Sequence, residues 1–237
     1  MKKSNLNEVK EVAKSFLFLP IEESSRFGKL VIHHPFFQSC ATMINVDGEY
    51  KLVDIVDDKN ALEQAQKEML HQIDLMDSVS MVMFMINKPY KLVFLKYIKR
   101  YLSKEDFSKL LADAWTITEK PSSDQNVSIS TFIKWFESCD KKHLMDKDDY
   151  NFYNNLADEI VIYRGVCGTK NYKKGISWTL NKETAEFFSR RWSADSDGYI
   201  LSGIAKKEDV LAFFNSRNEQ EIIINPSKIK EVVRCDL

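Results

Sequence analysis

Apolar positions recur mainly at helical spacing up to about residue 158, and after it as short runs of β-branched and aromatic residues. In the first stretch Asn60–Leu75 is amphipathic, and Tyr90–Leu102 places Leu92, Leu95, Ile98 and Leu102 on one helical face. Ser103 occupies an N-cap position, with Asp106 where a capping box would carry Glu, so a helix is predicted from there to about Thr116. Ser130–Cys139 and Lys147–Leu156 complete the helical set. One exception is Ala41–Val56, in which two β-type runs flank the hairpin signal Asp47-Gly48. The alternation of Met81, Met83 and Met85 predicts a buried strand.

Past residue 158 six strands are predicted: Ile160–Arg164, Ile176–Thr179, Tyr199–Ala205, Val210–Phe214, Gln220–Asn225 and Ile229–Arg234. Lys182–Arg191 reads as the one helix of that region. The pattern predicts an α+β protein. Residues 1–158 form a mainly helical accessory or substrate-docking region with one β-hairpin, and residues 159–237 form a compact β-rich core. Glu119–Val127 gathers Pro, Ser, Asp and Asn and is the clearest loop, but no flexible linker separates the two parts, which are expected to pack together.

The 237 residues, 44% hydrophobic and 29% charged, suit one or two globular domains. No apolar run reaches the roughly 18 residues of a membrane span. The Phe-Leu-Phe-Leu run near the N-terminus is too short for a signal peptide, so a cytoplasmic location and no membrane partner are expected. Cys40, Cys139, Cys167 and Cys235 share no metal-ligand spacing, which predicts free thiols and no metal site. The net charge of -1 argues against a strong nucleic-acid field over the whole molecule. Basic residues outnumber acidic ones 13 to 10 from Ile160 onward, a mild bias toward an anionic ligand.

Three clusters in the β-rich part carry candidate chemistry: Tyr163-Arg164-Gly165 at a strand end, Ser177-Trp178-Thr179 along a strand, and Glu219-Gln220-Glu221 opening an apolar strand. Singly, each reads as surface decoration: an edge arginine, a polar strand face, a solvated carboxylate pair. His33, His34, His71 and His143 read as structural histidines, and Trp115 and Trp135 as core anchors. Tyr97, Lys99 and Arg100 read as a solvated face more readily than as a basic recognition face. No P-loop, Rossmann glycine fingerprint or nucleophile elbow is present.

Taken in order, the three clusters resemble the Arg-Ser-Glu signature of the ADP-ribosyltransferase superfamily over about residues 159–237. The resemblance does not extend to residues 1–158, in which no family is recognised. The middle motif departs from the family's usual Ser-Thr-Ser, and only thirteen positions separate Arg164 from Ser177, where well-known toxin members carry a longer insert. The resemblance implies a split β-sandwich and mono-ADP-ribosyl transfer from NAD, used as a substrate without a metal.

It also implies the site roles. Glu221 stabilises the ribose cation and binds the ribose 2′-hydroxyl, and Glu219 orients or deprotonates the acceptor. Arg164 holds phosphate and ribose, and Gly165 lets the backbone approach nicotinamide. Ser177 fixes the Glu221 carboxylate, with Trp178 and Thr179 on the same strand. Phe187 or Phe188 stacks on nicotinamide while the other is core, and Arg190 or Arg191 meets a phosphate. The two carboxylates, two apart on a strand, are expected to share a face.

The acceptor is a macromolecule, protein side chain or nucleic-acid base, and Glu219 resembles members that modify arginine. The setting so implied is a toxin of a toxin–antitoxin or phage-defence system, or a phage effector, with an antitoxin or regulatory protein as partner. An NAD glycohydrolase would use the same residues, and a non-enzymatic binding module remains the contrasting reading.

Overall fold

The computed structural model describes residues 3–46, 48–121, 124–167, 175–191 and 198–235. The chain divides into two compact units, Met1–Leu110 and Leu111–Leu237. The change of texture near residue 158 is a change of element type inside the second unit, since three helices precede the strands there.

The first unit begins with α1 (Leu6–Leu17), then two hairpins, β1 (Glu22–Ser24) with β2 (Gly28–His33) and β3 (Ala41–Val46) with β4 (Glu49–Asp54). Four helices follow: α2 (Lys59–Leu75), α3 (Val79–Met85), α4 (Lys91–Ile98) and α5 (Lys104–Ile117), the last crossing the boundary between units. α1 packs on α2, α3 and α4 around Val9, Ala13, Leu17, Ile73, Val82 and Leu95. The β3–β4 hairpin is as predicted. Asp47 of its turn lies outside the described residues, while Gly48 adopts φ +87°, a conformation that favours glycine.

The methionine alternation does not form a strand. Val79, Val82, Met83 and Ile86 are the buried positions, a helical i, i+3, i+4, i+7 set, while Met81 and Phe84 are exposed. Ser78 caps this helix by accepting the Met81 amide. The helix predicted over Tyr90–Leu102 runs as α4 and then tightens into a 3₁₀ turn at Lys99–Tyr101. Ser103 accepts the Asp106 amide as predicted. The shorter Asp side chain leaves the Ser103 amide to Ser4, whose hydroxyl accepts it at 2.7 Å and donates to Asp106 at 2.5 Å.

The second unit continues from α5 through α6 (Ile129–Ser138), α7 (Lys141–Leu144) and α8 (Lys147–Asn154) to β5 (Glu159–Val166), β6 (Ser177–Thr179) and α9 (Lys182–Arg190). β7 (Tyr199–Lys206), β8 (Val210–Phe214), β9 (Glu221–Ile224) and β10 (Lys230–Cys235) complete it. The strands form a six-stranded antiparallel sheet in the order β10-β7-β5-β6-β9-β8. β5 pairs with β7 from Glu159 to Val166, but with β6 only at Tyr163↔Thr179. The sheet therefore parts at β5–β6.

The core of this unit joins Trp178, Phe213 and Ile222–Ile224 of the sheet to Trp115, Phe132 and Phe136. Trp115 stands edge-on to both Phe132 and Phe136, with ring centroids 5.2 Å apart in each pair. α9 packs on β5, β6 and β7, and α6 and α8 on β8. Gly165 makes the α9 contact feasible: a Cβ there would lie 2.1 Å from the Ala185 carbonyl oxygen.

Candidate functional site

A cleft of about 270 Å³ opens beside the β5–β6 junction, bordered by β5, β6, α9, residues 119–121 and the turn before β9. Its floor is Glu221, the first residue of β9, whose side chain is 9% exposed. The register pairs Glu221 with Thr179 and Ser177 with Ile223. Ser177 and Glu221 are therefore diagonal neighbours on one face. The Ser177 hydroxyl donates to Glu221 Oε1 at 2.5 Å, and the Trp115 indole N–H is shared between the two carboxylate oxygens at 3.2 and 3.3 Å. Arg217 Nη2 lies 3.9 Å from Glu221 Oε2.

These contacts set the charge of Glu221. Burial pushes its carboxyl above the ordinary glutamate range; the Ser177 hydrogen bond, Arg217 and the Trp115 indole pull it back, and Glu219 raises it. The result is a carboxylate with fixed geometry and little water, poised to stabilise a cation placed against it.

Glu219 reaches the same cleft by a route other than the one predicted. The strand starts at Glu221, not Gln220, and Asn218 and Gln220 adopt φ +57° and +46°. The carboxylates thus come from a left-handed turn and a strand end, not from one strand face. For Gln220 that backbone is unfavourable. It is held by Asn215 Oδ1, which accepts the Gln220 amide at 3.0 Å, and by the Leu180 amide, which donates to the Gln220 carbonyl at 3.2 Å. The Asn215 amide in turn donates to the buried Asp149 of α8 at 3.1 Å. Thr179 Oγ1 donates to the Glu219 carbonyl at 2.7 Å, so Thr179 steadies the turn while Ser177 steadies Glu221. Arg217 closes the arrangement with an ion pair to Glu219 Oε2 at 2.9 Å.

Arg164, on β5, crosses the parted junction and donates from Nη1 to the Ser177 carbonyl. Its guanidinium occupies the space above Gly175, where a Cβ would lie 2.1 Å from Arg164 Cζ. Gly175 is thus the glycine that makes room at the site. Gly165 borders the cleft too, and its missing side chain makes room for α9.

Trp178 alternates to the other face of β6, buried, with its indole N–H on the Gly175 carbonyl at 2.9 Å; it braces the strand and offers the cleft no indole face. Phe188 lines the cleft, whereas Phe187 is 59% exposed and does not. Neither is core, since α9 buries Ala185 and Ser189 instead. Arg191 lines the cleft with its guanidinium 5.7 Å from the Phe188 ring centroid, and Arg190 lies outside the lining. Of the sequence-predicted site residues, then, Phe187 and Arg190 do not line the cleft.

Comparison of the chain with protein-family models, curated proteins and solved structures gives no match. The site therefore rests on its own geometry. Among the described residues no group of three or more His, Cys, Asp or Glu is placed to hold a metal, and no helix is long and apolar enough to cross a membrane. Among the described residues, Cys40, Cys139, Cys167 and Cys235 form no disulfide.

The sequence reading missed Arg217 and the second role of Trp115. Arg217 carried a signal, a cation two residues before one carboxylate and four before the other. Trp115 carried none, because 106 positions separate it from Glu221 and only the folded unit brings them together.

Proposed function

We propose that the second unit is an ADP-ribosyltransferase-like catalytic core, its sheet parted at β5–β6 in the manner of a split sandwich, that cleaves NAD and transfers ADP-ribose to a macromolecule. The observation that carries this reading is the Ser177–Glu221 hydrogen bond inside a cleft that also holds Arg164 and Glu219. The three clusters lie on separate stretches of the chain, and the strand order β5-β6-β9 makes them neighbours.

The chemistry asks for what this cleft offers. Breaking the bond between nicotinamide and ribose C1′ releases a leaving group that is already cationic in NAD, so little acid help is needed. The barrier lies in the oxocarbenium-like ribose, as in glycoside cleavage. Glu221 stabilises that cation, and Ser177 and Trp115 keep the carboxylate in place without reorganisation. Arg164 and Arg191 supply cations for the pyrophosphate, and Phe188 an apolar face for nicotinamide. Glu219, on its braced turn, is the base for the incoming nucleophile.

The test is incubation of the protein with adenylate-labelled NAD and cell lysate, followed by separate protease and nuclease digestion. Label on a macromolecule supports transfer, and its loss to one of the two digestions sorts the acceptor class. Labelled free ADP-ribose alone would mean hydrolysis, and intact NAD would remove the proposal.

A further inference from the structure

Arg217 contacts both carboxylates of the site. Its guanidinium is fixed at two corners. Nη1 donates to the Thr116 carbonyl at 3.0 Å, in the last turn of α5, where helix carbonyls lack intrahelical partners. Nη2 lies 2.9 Å from Glu219 Oε2 and 3.9 Å from Glu221 Oε2. The side chain is 40% exposed and lines the cleft.

Resting on the transferase reading above, we infer that Arg217 occupies the acceptor position of its own active site and is itself ADP-ribosylated there. A ribose held against Glu221 presents C1′ within a few ångströms of that carboxylate, and the nitrogen placed beside both carboxylates is Arg217 Nη2. Glu219 is the group in position to take its proton. The step balances. The C1′–nicotinamide bond breaks and its electron pair leaves with nicotinamide. Glu219 takes the proton of Nη2. The freed Nη2 lone pair forms the new C1′–N bond, giving a substituted guanidinium, and the proton passes from Glu219 to water.

The arrangement is intramolecular and needs no encounter, which gives a fixed nucleophile a large advantage over one in solution. A modified Arg217 would leave ADP-ribose lodged beside Glu219 and Glu221, so the reaction would also close the site to further acceptor. Another macromolecule is modified only by displacing the Arg217 guanidinium from Glu219.

The test uses the full chain with NAD and no added acceptor, followed by intact mass, peptide mapping and nicotinamide release. The expected result is one ADP-ribose per chain on Arg217, seen as a tryptic cleavage lost at that position. Its rate is unchanged when the protein is diluted. The adduct is absent in Glu221→Gln and lost in Arg217→Lys, whose amine lacks the planar fork shared between Thr116 and Glu219. Release of nicotinamide by the wild-type chain with Arg217 unmodified would overturn the inference. So would an adduct of the same stoichiometry in Arg217→Lys. Absence of any nicotinamide release would instead remove the transferase reading itself, and this inference with it.

Discussion

The Ser177 hydroxyl reaches Glu221 Oε1 at 2.5 Å across a diagonal of the sheet, two positions from its own cross-strand partner Ile223. The bond joins two strands where one of them, β6, is only three residues long. Its partner Glu221 is buried, so it works in a low-dielectric setting where one donor matters more than at a surface.

Ser177→Ala should therefore lower nicotinamide release roughly 10- to 100-fold, in line with the loss of a preorganised charge-assisted hydrogen bond. The fold should persist, because β6 keeps its pairing with β9. Turnover and circular dichroism of the purified variant check this. Unchanged turnover would make the bond a structural one.

The acid limb of activity follows from the burial of Glu221. The working form is the carboxylate, and its pKa is raised above the ordinary glutamate value. Activity should fall on acidification at a pH above the usual glutamate range, and Ser177→Ala should move that limb higher by removing a group that favours the charge. A pH profile of kcat for both proteins tests the sign.

The same shift has a stability consequence. With the folded pKa raised, the stability that the group contributes is fully present below its unfolded value of about 4.5 and is lost as pH rises through the folded pKa. Glu221→Gln removes that loss. Its melting temperature at pH 8 should equal or exceed that of the wild type, and the gap should narrow below pH 4.5 or so. Thermal melts at the two pH values measure it.

Gly165 and Gly175, two of the tightly packed glycines, separate stability from binding. Gly165→Ala drives a Cβ into the α9 backbone and should cost about 1–3 kcal/mol or more, read as a lower denaturant midpoint. Gly175→Ala pushes instead on the Arg164 guanidinium and should raise the KM for NAD with a smaller change in midpoint.

Much of the second unit was readable because its strands are buried β-branched and aromatic runs. Val210–Phe214 matches the predicted span, and the apolar core of β9, Ile222–Ile224, fixes where that strand sits. The pattern fails where local periodicity is ambiguous or where contacts are distant. Seven residues around Met83 suit either period, and only burial of Val79, Val82 and Ile86 decides for a helix. β1 carries no apolar residue, and β2 buries Ile32 while Leu30 and Val31 of the same run stay exposed, so neither shows the apolar–polar alternation of a strand. The site clusters were legible as residue types, but the turn that separates Glu219 from Glu221 was not, because a left-handed Gln220 is imposed by Asn215 and Leu180.

Trp115→Phe tests the contact that the sequence could not foretell. The ring packing against Phe132 and Phe136 is retained, while the indole N–H that both Glu221 oxygens share is lost. A hydrogen bond to a charged group contributes about 1.5–3 kcal/mol. Nicotinamide release should accordingly drop roughly 10- to 100-fold, and the melting temperature should fall as well, because the smaller ring leaves a cavity at a fully buried position.

The most direct measurement is nicotinamide release from NAD by wild type and Glu221→Gln, each shown to be folded. Gln keeps the size of the side chain and removes its charge. A drop of about 100-fold or more is the result predicted for a carboxylate that stabilises the ribose cation. Wild-type release by Glu221→Gln would contradict the assignment of this cleft to NAD cleavage.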